Sequence, residues 1–168
     1  MNKKEQYFEQ VYNQSKDRIY RLCLGFMGNQ SDADDLFQEI IIKIWNNLDK
    51  FREESNINTW VYRIATNTAL HSININSRLK NRLSVVEVED LRGETIDDNS
   101  IYSKDNISHL HQAIATLKDI DKIIASLLLD NCSYLEISEI TGISTSNVGV
   151  RINRIKKKLT KKINNHGR

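Results

Sequence analysis

The sequence predicts an all-α fold with two small helical domains. The first is an N-terminal three-helix bundle. The second is a C-terminal four-helix unit carrying a helix-turn-helix, and a flexible acidic linker joins them. Three observations lead there. The 168 residues include 6 glycines and no proline, whereas average usage would supply about eight prolines. So few breakers permit long helices and argue against sandwiches and barrels, which need frequent Gly/Pro turns. Apolar residues recur at helical spacing in two blocks, and between them the periodicity lapses.

The first helix is expected over residues 4–27. Tyr7, Phe8, Val11, Tyr12, Ile19, Leu22, Cys23 and Phe26 recur mostly three and four apart. Gly28-Asn29 ends it as a C-cap and turn. A second helix begins near Ser31 or Asp32, where Ser31 and Asp34 resemble a capping box. Asp32, Asp34 and Asp35 suit the positive end of its dipole. It runs through Leu36, Phe37, Ile40, Ile41, Ile44, Trp45 and Leu48, leaving Asp35, Gln38, Glu39, Ile42 and Asn46 outward. Ile42 is then an exposed apolar spot of the kind interfaces use. After a polar loop over 49–58, Asn58 or Thr59 caps a third helix that reaches about Leu79.

Residues 84–106 read as a linker. A flexible chain of about 24 residues has a root-mean-square span of roughly 27 Å, enough to hold two small domains well apart. Helices are expected again over 107–116 and 119–130, the latter with Ile120, Ile123, Ile124, Leu127 and Leu128 inward. Ser133 with Glu136 forms a capping box before a short helix, Tyr134 to Thr141, that Gly142 closes. Ser144 or Thr145 caps a last helix to about Ile163. The domain boundaries are thus 1–83, 84–106 and 107–168.

The formal net charge of +2 conceals an asymmetry. Residues 84–106 hold 2 basic and 7 acidic side chains, whereas 145–168 hold 8 basic and none acidic. A terminal basic cluster is an electrostatic footprint for nucleic acid, or else a solvated helix end.

Two faces give that charge a possible chemistry. In the last helix Val148, Ile152, Ile155 and Leu159 form one inward stripe, with Ile143 under the corner. Asn147, Gly149, Val150, Arg151, Asn153, Arg154, Lys157 and Lys158 take the remaining positions, where a helix-turn-helix presents residues to the major groove. Asn reads adenine, Arg reads guanine, and lysines grip phosphate. Gly149 would permit close approach. In the third helix Trp60, Arg63, Asn67, Leu70 and Asn74 share a face, with His71 beside it. Such a stripe beside a polar loop suits unstacked bases, through stacking, charge and base-edge hydrogen bonds. Taken alone, packing is the stronger account, with Trp60 a half-buried helix anchor and Asn67 a helix-packing or capping group.

The segments DADDLFQE at 32–39, KIW at 43–45, Phe51-Arg52 and TWVYRIATN at 59–67 together resemble region 2 of extracytoplasmic-function sigma factors of the sigma-70 family. SYLEISEITGIS at 133–144, with Asn147, Val148 and Arg151, resembles their region 4. Both occur in the family's order and cover nearly the whole chain. The resemblance implies a non-catalytic subunit that binds core RNA polymerase and directs promoter-specific initiation. It implies that Asp35, Gln38, Glu39 and Ile42 meet the clamp coiled coil of the largest subunit. The loop around Phe51, with Trp60, Arg63, Asn67 and His71, would open the −10 element and capture a base of the non-template strand. Asn147, Arg151 and Arg154 would read the −35 element, with Lys157 and Lys158 on phosphates. The polymerase flap region and an anti-sigma factor complete the implied partners, and the acidic linker would run through channels that nucleic acid also uses. Two departures stand out. Lys118-Asp119-Ile120-Asp121-Lys122 lacks the family's usual proline, and basic residues follow the third helix late, at Arg78, Lys80 and Arg82.

The alternative is a stand-alone helix-turn-helix regulator whose N-terminal helices dimerise. An enzyme is not expected. His109 and His111 lack partners at ligand spacing, Cys23 and Cys132 stand far apart, and no Gly-rich phosphate loop appears. No metal or cofactor is expected. No apolar run approaches the ~20 residues of a membrane span, and the opening MNKKEQYFEQ is no signal peptide. A cytoplasmic protein without a disulfide framework is the expectation.

Overall fold

The computed structural model describes residues 2–83, 110 and 113–166, and the side chains among them except those of 75–83 and 163–166. The expected linker and half of the residues of the helix expected at 107–116 lie outside the described residues.

Helix α1 spans Lys3–Met27, α2 Gln30–Asn47 and α3 Ile57–Leu83, with a 3-10 turn at Leu48–Lys50. Helix α4 spans Asp119–Leu129, α5 Tyr134–Thr141 and α6 Thr145–His166. No strand occurs among the described residues. Each helix is amphipathic and buries its apolar stripe. Ile19, Leu22 and Phe26 of α1 meet Ile40 and Ile44 of α2 and Val61, Ala65 and Ala69 of α3 in one core. Each fully buried large aliphatic contributes about 1.5–3 kcal/mol.

The boundaries follow cap chemistry. The Asn2 side chain accepts from the Lys4 N–H, and Glu5 reaches back to the Asn2 N–H, so a capping box opens α1. Gly28 ends it at φ 78°, a left-handed conformation that glycine adopts without strain. Two expected caps shift. Asn29, not Ser31, caps α2 by accepting from the Asp32 N–H at 2.9 Å. Asn56, not Asn58 or Thr59, opens α3. Its side chain accepts from the Asn58 N–H at 2.9 Å, and its carbonyl accepts from the Trp60 N–H. In both cases an upstream asparagine satisfies the free donors and the helix starts earlier.

The C-terminal half forms as its motifs predict. The Ser133/Glu136 capping box is complete, and Gly142 sits at φ 74°. Ser144 supplies the cap of α6, its hydroxyl accepting from the Asn147 N–H at 3.3 Å. Val148, Ile152 and Ile155 are buried and Leu159 is half-buried. The end of α4 has a further device. Asn131 is left-handed at φ 60°, its N–H donates to the Leu128 carbonyl, and the Cys132 N–H donates to the Leu127 carbonyl. That is a Schellman closure with asparagine in the usual glycine place.

The two sets of helices are docked in one continuous core, with α4 against α1 and α5 against α3. Helices α1 and α4 pack tightly at Gly25, where a β-carbon would lie 2.8 Å from Ser126 Oγ. Asp130, at the end of α4, ties three elements together. Its Oδ1 accepts from Arg21 Nε at 3.0 Å, and its Oδ2 accepts from the Tyr62 hydroxyl at 3.0 Å.

Candidate nucleic-acid interface

The loop at 51–56 and the start of α3 enclose a cavity of about 680 Å³. Lys50, Phe51, Arg52, Glu54, Ser55, Asn56, Trp60 and Arg63 line it, together with Glu139 from α5. The loop turns at Glu53, which is left-handed at φ 57° without being glycine, a conformation that costs roughly 1–2 kcal/mol. Phe51 and Trp60 are half-buried, with ring centroids 5.4 Å apart and planes at 52°. They form one aromatic wall, and the polar and basic side chains form the other. Such a wall can accept a flat ring, and the adjacent Lys and Arg suit a phosphate backbone.

From this cavity the outer face of α3 continues through Arg63, Asn67, His71 and Asn74, all exposed. The opposite face, Val61, Ala65, Thr68 and Ala69, is buried. The helical period therefore holds the polar stripe outward and in line. Tyr62 and Thr66 are buried too, though the sequence reading placed neither inward. Tyr62 donates to Asp130, a partner 68 residues away that local spacing cannot show, whereas Thr66 donates to the Arg63 carbonyl on its own helix. Arg63 is not free in this arrangement, because its Nε donates to the Glu139 carbonyl at 2.7 Å.

The second surface is α6. Asn147, Arg154, Lys157 and Lys158 are exposed along it. Arg151 differs. Its Nη1 lies 2.7 Å from Asp121 Oδ1, and the Asp121 side chain is only 10% exposed. This base-reading candidate therefore also braces α6 against α4. Gly149 is half-buried and faces the Tyr134 ring, 3.7 Å from where a β-carbon would stand, so it opens toward α5.

The third surface is the outer face of α2. Asp35, Gln38, Glu39 and Ile42 are all exposed, Ile42 to 58%. Glu39 pairs with Lys43 one turn on, at 2.6 Å. The face carries acidic and amide groups around one apolar point, while Tyr20 holds neighbouring Asp34 inward through a 2.8 Å hydrogen bond. Thus α2, α3 and α6 each present one of the three sets of candidate residues, and docking brings α5 beside the second set.

Among the described residues no cluster of His, Cys, Asp and Glu could hold a metal, and no helix is long and apolar enough to cross a membrane. Cys23 and Cys132 are buried free thiols. Burial pushes the Cys23 thiol up to about 12 and that of Cys132 to about 11, the latter helped by Glu136 and Asp130. Both stay protonated near neutral pH, which suits packing rather than nucleophilic chemistry.

Comparison with known proteins identifies the family. Residues 11–79 match the family model for sigma-70 region 2, and residues 108–159 match that for sigma-70 region 4. The ECF RNA polymerase sigma factor SigW of Bacillus subtilis is 29% identical over 167 residues, covering 93% of this chain and 88% of the relative. The RNA polymerase sigma factor SigV of the same organism is 31% identical, over 83% of this chain and 80% of the relative. The ECF RNA polymerase sigma-E factor of Escherichia coli K12 is 30% identical, over 79% and 74%. Among solved structures, the sigma factor RpoE of Bartonella quintana, in complex with the anti-sigma factor NepR, superposes with a TM-score of 0.77 at 18% identity, covering 95% of this chain and 98% of that one. CnrH, in complex with the cytosolic domain of CnrY, gives 0.68 at 17% identity, over 95% and 89%. At those identities the structural likeness speaks for the fold.

Proposed function

The chain belongs to the sigma-70 family as an RNA polymerase sigma factor of the extracytoplasmic-function type, and on that premise we propose how its surfaces divide the work. A sigma factor of this type binds core RNA polymerase and directs promoter-specific initiation. Residues 1–83 act as region 2, 84–106 as the linker and 107–168 as region 4. Asp35, Gln38, Glu39 and Ile42 on α2 form the contact for the clamp coiled coil, with Ile42 as its apolar centre. Exposed Leu129 and Leu135 are available for the flap region.

The cavity beside α3 takes an unstacked base of the non-template strand at the −10 element. Phe51 and Trp60 supply the aromatic wall, Arg63 the charge, and Asn67 and His71 the polar edge. Helix α6 enters the major groove at the −35 element. Asn147, Arg151 and Arg154 face bases there, and Lys157 and Lys158 face phosphates. The chain catalyses no reaction itself and needs no cofactor, since nucleotide chemistry belongs to the polymerase. It works in the cytoplasm, where the polymerase is. An anti-sigma factor is a further partner, a reading supported by the NepR-bound state of the Bartonella relative.

The observation that carries this reading is the presence in one chain of a single-strand cavity and a basic helix-turn-helix. A stand-alone regulator needs only the second. Transcription of fragmented genomic DNA by core polymerase, with and without the protein, followed by sequencing of the 5′ ends, tests it. Discrete start sites sharing two upstream elements are expected only with both components. Tight binding of the protein alone to those fragments, with no transcripts added by core, would instead identify a stand-alone regulator.

A further inference from the structure

Helix α6 carries one residue that neither packing nor charge explains. Val150 is 46% exposed, in the second turn of the helix. At about 100° per residue, it stands roughly 200° round the helix from Val148. Val148, Ile152 and Ile155 are buried, so Val150 occupies the middle of the opposite face. Asn147 and Arg154 flank it on one side, and Ser146 and Asn153 on the other, all exposed. Among the described residues of α6 no other large apolar side chain is exposed.

Single exposed aliphatics are ordinary on protein surfaces, but this one stands against local preference. Valine loses side-chain freedom in a helix, and an exposed position returns little of that loss through burial. Gly149 precedes it, although a β-carbon there would meet only ordinary contact, 3.7 Å from the Tyr134 ring. Alanine would fit at 149 and suit the helix better. Two weak helix formers in succession, where packing demands neither, mark a stretch shaped for something outside the fold.

The charge around Val150 says what that is. Residues 145–168 hold 8 basic side chains and none acidic, so the face complements a polyanion. A valine at its centre then needs an apolar group on that polyanion. In the major groove of DNA, the apolar group at a base edge is the 5-methyl of thymine. The place along the helix agrees, because the N-terminal residues of the second helix of a helix-turn-helix contact base edges. Asn147 and Arg154 lie about one turn before and after Val150, roughly 5 Å each way, or one to two base steps of ~3.4 Å. Valine also suits the task because its χ1 is almost fixed in a helix, so its two methyl groups are in place before DNA arrives.

We infer that Val150 is a specificity-determining residue that reads the 5-methyl group of a thymine in the −35 element, beside the bases that Asn147 and Arg154 face. The inference rests on the assignment of α6 to that element.

The experiment uses the full chain bound to core RNA polymerase, on a duplex carrying the upstream element shared by the mapped start sites. Each thymine of the element, on either strand, is replaced in turn by deoxyuridine, which keeps the base pair and removes only the methyl group. Competition for a labelled duplex reads the affinity. The wild type is expected to lose about three- to fourfold at one position, the value of one buried methyl group. Val150→Ala is expected to bind the thymine duplex more weakly by a similar factor. It should also lose the response to uracil at that position alone and keep it at every other. The variant should fold, since the site is exposed and alanine favours a helix, and circular dichroism checks this. A wild type indifferent to every uracil would overturn the inference. So would a Val150→Ala variant that responds to uracil as the wild type does, even if it binds every duplex more weakly. If core polymerase adds no transcripts, the sigma-factor reading fails. The same scan on duplexes that the full chain alone selects from a random pool then decides the methyl contact, and a pool without an enriched sequence would overturn it as well.

Discussion

Arg63, Asn67 and Arg151 show why one side chain can be assigned to two tasks. Arg63 and Asn67 are exposed one helical turn apart, yet only Arg63 is held by the other half of the molecule. Asn67→Ala is expected to impair promoter opening, read by permanganate reactivity of unpaired thymines, while leaving core binding intact. Loss of core binding would assign Asn67 to packing instead. Arg151 pairs with nearly buried Asp121. Arg151→Ala is expected to relax base discrimination at one −35 position by about 1–3 kcal/mol. It should also lower stability by about 1–2 kcal/mol, less than for a fully buried pair because Arg151 is partly in water. Asp121→Asn separates the two effects, since it should cost stability and spare discrimination. Equal loss on all sequences in the Arg151 variant would make it a phosphate contact. The cysteines are a third residue-scale case. With thiol pKa values near 12 and 11, both should react slowly with a thiol reagent at pH 7.5 and fast in denaturant. Fast native labelling of Cys23 would contradict its burial.

At the scale of elements, the short helix α5 depends on its ends. Eight residues are too few for a helix to stand by propensity alone. The Ser133 hydroxyl and the Glu136 carboxylate satisfy free N–H groups at its start, and Gly142 turns the chain at its close. Ser133→Ala is expected to cost about 1 kcal/mol in chemical denaturation. Gly142→Ala should cost roughly 1–2 kcal/mol from its left-handed backbone alone, because no atom lies within 4 Å of the added carbon. A much larger loss would mean that the turn packs more tightly than it stands here. The Ser133 N–H bond holds the Glu136 carboxyl below the usual carboxylate range. A depressed folded value means its contribution is present above the ordinary pKa and is lost as pH falls through the folded one. Glu136→Gln should therefore flatten part of the acid limb of a stability-against-pH curve. An unchanged limb would show the box to be open in solution. The motif Ser133 to Gly142 was legible in sequence because every bond it makes is local. The Asn29 and Asn56 caps were misplaced because several polar residues stand near each start, and only backbone geometry selects among them.

For the whole molecule, the docking of the two halves is what local sequence patterns do not show. Sequence periodicity finds apolar faces without saying which faces meet. The inward stripe of α4 was legible, yet its partner could have been α6 alone. Instead it packs on both α6 and α1. Because Glu139 of α5 lines the cavity and its carbonyl holds Arg63, the free protein is expected to bind single-stranded DNA weakly, and Gly25→Leu, which crowds Ser126 between α1 and α4, to bind it more tightly, both measurable by fluorescence anisotropy with a labelled −10 oligonucleotide. Equal affinity in both would mean that α5 does not obstruct the cavity.

The sequence by itself determined the all-α class, the helix-turn-helix, the acidic middle and basic tail, and the exposed stripes of α2, α3 and α6. These follow from 3.6-residue periodicity, cap chemistry and charge, which act within a few residues. Only the tertiary structure decided that Asp130 joins Arg21 and Tyr62, that Arg63 rests on Glu139, and that Arg151 is shared with Asp121. Those partners lie 109, 68, 76 and 30 residues apart. No local propensity links positions so distant. They meet because burying the apolar stripes of α1, α3, α4, α5 and α6 in one core brings their polar neighbours within hydrogen-bonding reach.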